Sequence, residues 1–177
     1  MLERYADIFL GDTVEAVWRF QAVTDEASIV LLDTIIFETF NGFIALTCLQ
    51  EGLSCERVQE KALLRWRGDL ALPFGQVDAA EEWLELVSLD AHEVLPVFPL
   101  RVSGLTGWFG AGSYEDVFSL ALSGGSAQLV VVTTDSFELV CSEEEEATAR
   151  AELVATNMNL CLVREELPNG SGRNEQV

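Results

Sequence analysis

The chain is poor in the side chains that move protons. It has a single histidine, His92, and a single lysine, Lys61. Histidine is the usual proton shuttle at neutral pH, so most general acid–base designs are excluded unless carboxylates do the work. The neighbours of His92, Asp90 and Glu93, favour its charged form, which is wrong for a metal ligand; it reads as a surface histidine just after a helix. None of the four cysteines, Cys48, Cys55, Cys141 and Cys161, forms a CxxC pair, and a nucleophilic thiolate needs an electropositive setting that is missing here. They read as buried reduced thiols. Gly110-Ala-Gly112 and Gly124-Gly125 lack both the lysine of a phosphate loop and the spacing of a dinucleotide fingerprint, and no calcium loop occurs. No apolar run approaches the ~18 residues that cross a bilayer. The opening Met1-Leu-Glu-Arg-Tyr-Ala-Asp carries acids where a signal peptide carries a basic and then an apolar stretch. The expectation is a cytoplasmic protein without cofactor, metal site or enzymatic activity.

What the chain has in excess is carboxylate. Thirty Asp and Glu face ten Lys and Arg, a formal net charge of −20 over 177 residues. Such a surface repels nucleic acid and anionic membranes, and it attracts basic macromolecules and speeds encounter with them. Hydrophobic residues make up 49% of the chain, enough for a packed core, so general disorder is excluded.

Two stretches resemble each other. Asp33-Thr-Ile-Ile-Phe-Glu-Thr-Phe-Asn-Gly-Phe-Ile-Ala-Leu-Thr-Cys48 and Asp116-Val-Phe-Ser-Leu-Ala-Leu-Ser-Gly-Gly-Ser-Ala-Gln-Leu-Val-Val-Val132 each open with an aspartate and continue as an apolar strand. Each then turns at a dipeptide, Asn41-Gly42 or Gly124-Gly125, that favours the positive φ angles of hairpin turns. Each is preceded by a segment with a tryptophan, Trp18 or Trp108. Asp33 and Asp116 read as caps at surface ends of strands. Ile29–Leu32 and Leu129–Val132 read as further strands.

Helical signals lie between and after the hairpins. Glu56–Trp66 places Val58, Ala62 and Trp66 on one side and Arg57, Lys61 and Arg65 in a basic stripe. Asp78-Ala-Ala-Glu81 has the form of a capping box and opens an amphipathic helix with Trp83, Leu84, Leu86 and Val87 apolar. Ser142 followed by Glu143–Glu146 opens a third, with carboxylates at the positive end of the helix dipole. Met158–Val163 either continues that helix or forms a last strand, and Pro96 and Pro99 disfavour a central strand at 94–100. The predicted fold class is α+β: antiparallel β-meanders in two similar copies (12–58 and 100–142), packed with two to three amphipathic helices in one domain over 1–167, with a mobile tail at 168–177.

The candidate binding residues are the acids of two surfaces: Asp78, Glu81, Glu82, Glu85 and Asp90, with Trp83 among them, and Glu143, Glu144, Glu145 and Glu146. Each also has the composition of an ordinary wet helix face. Interfaces with basic partners combine carboxylates with an aromatic anchor.

In charge, size and lack of an export signal, and in the hairpin unit Asp33-Thr-Ile-Ile-Phe-Glu-Thr-Phe-Asn-Gly, the chain resembles bacterial toxin-neutralising immunity proteins. That resemblance implies a cytosolic antitoxin that occludes a toxin's active site, with carboxylates where substrate phosphates would sit. A secretion chaperone or effector adaptor is the alternative, and a carboxylate- or metal-dependent hydrolase would need acids converging in a pocket. The partner implied is a basic protein, a toxin or secreted effector, not nucleic acid or membrane; monomer and homodimer are both open.

Overall fold

A computed structural model of the chain describes residues 2–23, 28–49, 52–65, 87–110, 117–133, 137–142, 144–145, 147–148, 151 and 162–167. They form a mostly-β fold of two antiparallel sheets with one short α-helix and a helical turn after Ser142. None of the described helices is long and apolar enough to cross a membrane. The chain divides into two compact units, one of Met1–Thr13, Pro99–Thr134 and Glu138–Val177, the other of Val14–Phe98 and Asp135–Phe137.

The second unit is built from strands β1 (Thr13–Val23), β2 (Ser28–Val30), β3 (Thr34–Thr39), β4 (Gly42–Leu49), β5 (Gly52–Val58) and β6 (Val87–Glu93). β1 is rich in β-branched and aromatic residues, as strands are, and has partners on both edges. β3 pairs along Val14–Trp18 and β2 along Gln21–Val23 on one side, while β6 runs along Val17–Ala22 on the other. From β3 the chain continues as a meander through β4 and β5. Thr34, Ile35, Ile36 and Phe37 are each at most 1% exposed. A strand buried on both faces reads as a continuous apolar run instead of an alternating one, which is what Ile35-Ile-Phe37 does. On one face Phe20, Ala22, Leu31, Ile36, Ala45 and Leu64 form a cluster, with Trp18, Phe43 and Val58 packed against it. Phe137 joins this unit through backbone: its N–H donates to Leu32 O at 2.7 Å, and Arg19 Nη2 donates to Phe137 O at 3.0 Å.

The first unit holds α1 (Glu3–Phe9), β7 (Leu100–Arg101), β8 (Gly104–Gly110), β9 (Val117–Gly124), β10 (Ala127–Thr133), β11 (Phe137–Val140) and β12 (Leu162–Leu167), with sheet order β11-β10-β9-β8-β12. α1 buries Tyr5 and Phe9. Gly107 of β8 makes room for this packing: a Cβ there would lie 2.7 Å from the Phe109 ring and 2.9 Å from Leu2 Cδ1.

Both units thus contain an antiparallel meander preceded by a tryptophan strand, and the registers compare closely. Trp18 of β1 lies opposite Ile36, three residues after Asp33; Trp108 of β8 lies opposite Ser119, three residues after Asp116. Asp116 itself lies outside the described residues. The hairpins differ at their tips. Thr39 pairs with Gly42, leaving Phe40 and Asn41 as the loop, whereas Gly124 pairs with Ala127, leaving Gly125 and Ser126. The second hairpin is two residues longer between its aspartate and its loop, an even number that keeps every side chain on its face.

Several expectations are corrected. Each turn sits one residue away from its predicted dipeptide. No described non-glycine residue has positive φ, and Asn41 is therefore not left-handed; the positive angle falls on Gly42 (112°), just past the loop, and in the other hairpin on Gly125 (63°) alone. The predicted helix over Glu56–Trp66 is, over its described residues 56–65, instead the end of β5 and, after Glu60, a single 3-10 turn, Lys61–Leu63; Trp66 lies outside the described residues. Pairing with β4, down to Phe43 opposite Val58, supplies these residues with cross-strand hydrogen bonds, and that outweighs three weak repeats of a helical spacing. Val87, expected in the second helix, begins β6, and His92 lies in this strand opposite Trp18. The rest of that helix, with Trp83, and the tail at 168–177 lie outside the described residues, as do residues 158–161. Of the ambiguous stretch Met158–Val163, Leu162 and Val163 are strand, the start of β12. Asp33 is not at a surface end: it is 2% exposed, and its carbonyl accepts from Cys48 N–H at 2.8 Å. Cys48, Cys55 and Cys141 are half-buried, not buried.

The two positive-φ hairpin glycines differ in surroundings. A Cβ on Gly42 would lie 2.6 Å from Val58 O, while one on Gly125 would meet nothing within 4 Å. Gly125→Ala should therefore cost about 1 kcal/mol of left-handed strain, and Gly42→Ala about 3 kcal/mol, strain plus overpacking. Denaturant unfolding of the two variants checks this; equal losses would contradict the reading of the Gly42 contact.

Candidate functional site

The acids singled out from sequence fall in different settings. Asp78, Glu81, Glu82 and Glu85 lie outside the described residues, as do Glu143 and Glu146. Asp90 is a strand residue, not part of a helix face. Arg19 pairs with Ala91 and Gln21 with Ser88, so Leu89 and Asp90 together oppose the single residue Phe20, a β-bulge in β6. Glu144 and Glu145 are exposed in the helical turn after Ser142. Glu145 is engaged in closing that turn: its N–H donates to Ser142 Oγ at 3.2 Å, and Cys141 N–H donates to Glu145 Oε2 at 3.4 Å. The serine–glutamate pair acts in the manner of a capping box, and the expected helix start at Ser142 is present. Among the described residues no three His, Cys, Asp or Glu side chains gather closely enough to hold a metal.

The basic stripe expected over Arg57, Lys61 and Arg65 is dispersed, because the backbone carrying it is strand and then turn. Arg57 Nη1 donates to Asn41 O at 3.5 Å, and Arg65 Nη1 donates to Ala62 O and Leu64 O at 2.6 and 2.7 Å. Lys61 places its ammonium 3.3 Å from the ring centroid of Trp18. The edge of the same indole is occupied as well, since Trp18 Nε1–H donates to Glu38 Oε2 at 2.7 Å. Sheet register explains the meeting. Glu38 lies opposite Ala16, and Trp18 lies opposite Ile36, so Glu38 is the diagonal neighbour of Trp18 on one face, within reach of long side chains. A carboxylate drawing on the indole N–H adds electron density to the ring, and a cation over that ring is then held more strongly. The clamp seats residues 61–64 over the sheet, and Leu64 is 6% exposed in the cluster below.

Two residues beyond Glu38 the hairpin exposes an aromatic side chain. Phe40 is 82% exposed, the most of the exposed large hydrophobics among the described residues. The loop carrying it is tied at several points. Thr39 Oγ1 donates to Gly42 O at 2.9 Å and accepts from Asn41 N–H at 3.3 Å. Arg57 holds Asn41 O from the neighbouring strand, and Gly42 backs directly onto the Val58 carbonyl. This end of the sheet therefore joins a rigid loop, a solvent-facing phenyl ring and a clamped ion–aromatic–ion triplet. Sequence reasoning missed it because Phe40 reads as one more residue of the apolar strand that begins at Thr34, with the turn placed after it at Asn41-Gly42. The signal available was the glycine, which marks the turn to within one residue; the pairing of Thr39 with Gly42 is what leaves Phe40 in the loop.

Trp18 and Lys61 should be thermodynamically coupled. A double-mutant cycle of Trp18→Phe and Lys61→Met in denaturant unfolding is expected to return about 0.5–1 kcal/mol of interaction, and Glu38→Gln should lower it. Strictly additive losses would show that the contact contributes nothing.

Compared with protein-family models, with curated proteins and with solved structures, the chain matches none of them.

Proposed function

We propose that the chain is an acidic cytoplasmic binding protein that neutralises a basic protein partner, acting by occlusion and not by turnover, in the manner of a toxin-neutralising immunity protein. The observation that carries this is the charge: −20 on 177 residues, on a chain whose described part folds into two sheets with packed cores. Glu3, Asp7, Glu15, Glu60, Glu144 and Glu145 are all exposed, so these six carboxylates face water, whereas Asp12 and Asp33 are buried. A field of this sign raises the local concentration of cationic partners and accelerates association. We further propose that the two meanders are copies of one ancestral unit, a reading supported by the shared tryptophan-to-aspartate register.

If charge drives the encounter, raising ionic strength should slow association with the basic partner by at least ~tenfold while changing dissociation little. Stopped-flow or surface-binding kinetics at several salt concentrations measure this. Lysine substitution across Glu81, Glu82 and Glu85, or across Glu143–Glu146, should lower the on-rate for whichever set faces the partner. An association rate indifferent to both salt and charge reversal rejects the proposal, as would release of product from any small molecule by the purified chain.

A further inference from the structure

We infer that the tip of the β3–β4 hairpin is the contact element of this protein, with Phe40 as the anchor that enters an apolar pocket on a basic polypeptide partner. The inference rests on the proposed binding function and names its surface.

Local structure does not call for phenylalanine at this position. Tight loops favour Gly, Pro, Asn, Asp and Ser, each for a backbone reason. Phe40 keeps negative φ, so most residue types fit there, and at 82% exposure its ring contributes little to the core. Singly exposed hydrophobics are common and need no explanation. The distinction here is presentation. The loop is held by the two hydrogen bonds of Thr39 Oγ1, by Arg57 on Asn41 O, and by the close seat of Gly42 on Val58 O. A rigid aromatic gives up little conformational entropy when it is buried at an interface, which is the economy of aromatic anchors.

Charge selects the occupant. At −20 the chain repels a second copy of itself, acidic proteins and nucleic acid. A partner that accepts Phe40 must bring its apolar pocket up to this negative body, and a rim of lysine or arginine around the pocket makes that approach favourable.

The test is selection of a phage-displayed library of constrained random peptides on the whole chain, followed by affinity measurement of the enriched peptides on variants. Enriched peptides should carry net positive charge around an apolar group and lose at least ~tenfold in affinity on Phe40→Ser. They should lose none on Leu63→Ser, an exposed hydrophobic (60%) outside the loop. Phe40→Ser should melt with the parent protein, because the ring it removes is solvent-facing; Phe40→Lys provides a second variant that repels a cationic rim and should weaken binding further. Basic peptides that bind the Phe40 variants as tightly as the parent would overturn this surface while leaving the acidic-binder reading standing. Enrichment of acidic peptides, or of none, would overturn both.

Discussion

The unit that carries the hairpin depends on β3. Ile35, Ile36 and Phe37 are fully buried, so this strand is packed on both faces and bonded on both edges, to β1 and to β4. A strand in that position has no freedom to slip. A shift of one residue would put Glu38 where Phe37 is and carry a carboxylate into an apolar interior, at a cost of several kcal/mol. With the register of β3 fixed, Glu38 must meet the Trp18 edge, and Phe40 must fall in the loop. The exposed ring is thus positioned by a buried strand a few residues upstream.

The same constraint explains which parts of the sequence were legible. The hairpins were, because two apolar strand-like arms with a glycine between them are a local signal, and both arms of each hairpin are strands in the structure. Their exact turns were not. Asn-Gly is commonly read as a pair of left-handed residues, but here Asn41 is not left-handed and the glycine alone takes the positive angle. The helix start at Ser142 was legible for a similar reason, since a cap is built from residues three apart.

The failures all concern information carried by distant pairing. Arg57, Lys61 and Arg65 are spaced like a helical stripe, and nothing local distinguishes that spacing from a strand running into a turn. The choice is made by β4, which offers β5 a full ladder of partners. His92 reads as a residue beyond a helix until β1 is seen to pair with it. The Trp18–Glu38–Lys61 triplet needs three separate elements to converge, and its signal in sequence is limited to the rarity of lysine. The acidic residues are the opposite case: charge is additive and legible without a fold, but where it concentrates on the surface is not.

That division bears on how such a protein would work. A diffuse negative field does not require placement; it steers a cationic partner from a distance of order the Debye length, ~8 Å at physiological salt, and gives rate more than specificity. Specificity has to come from something placed to within an ångström. In the described part of this chain one exposed group on a tied backbone is uncharged: the phenyl ring of Phe40, in a loop held on either side. Field and anchor are then separable. Substitutions among surface acids would change how fast a partner arrives, and substitutions at Phe40 would change how long it stays. The same separation would let exposed carboxylates of the body be exchanged for one another freely while the loop stays fixed, because the loop, like the Glu38–Trp18 contact, depends on the register of β3.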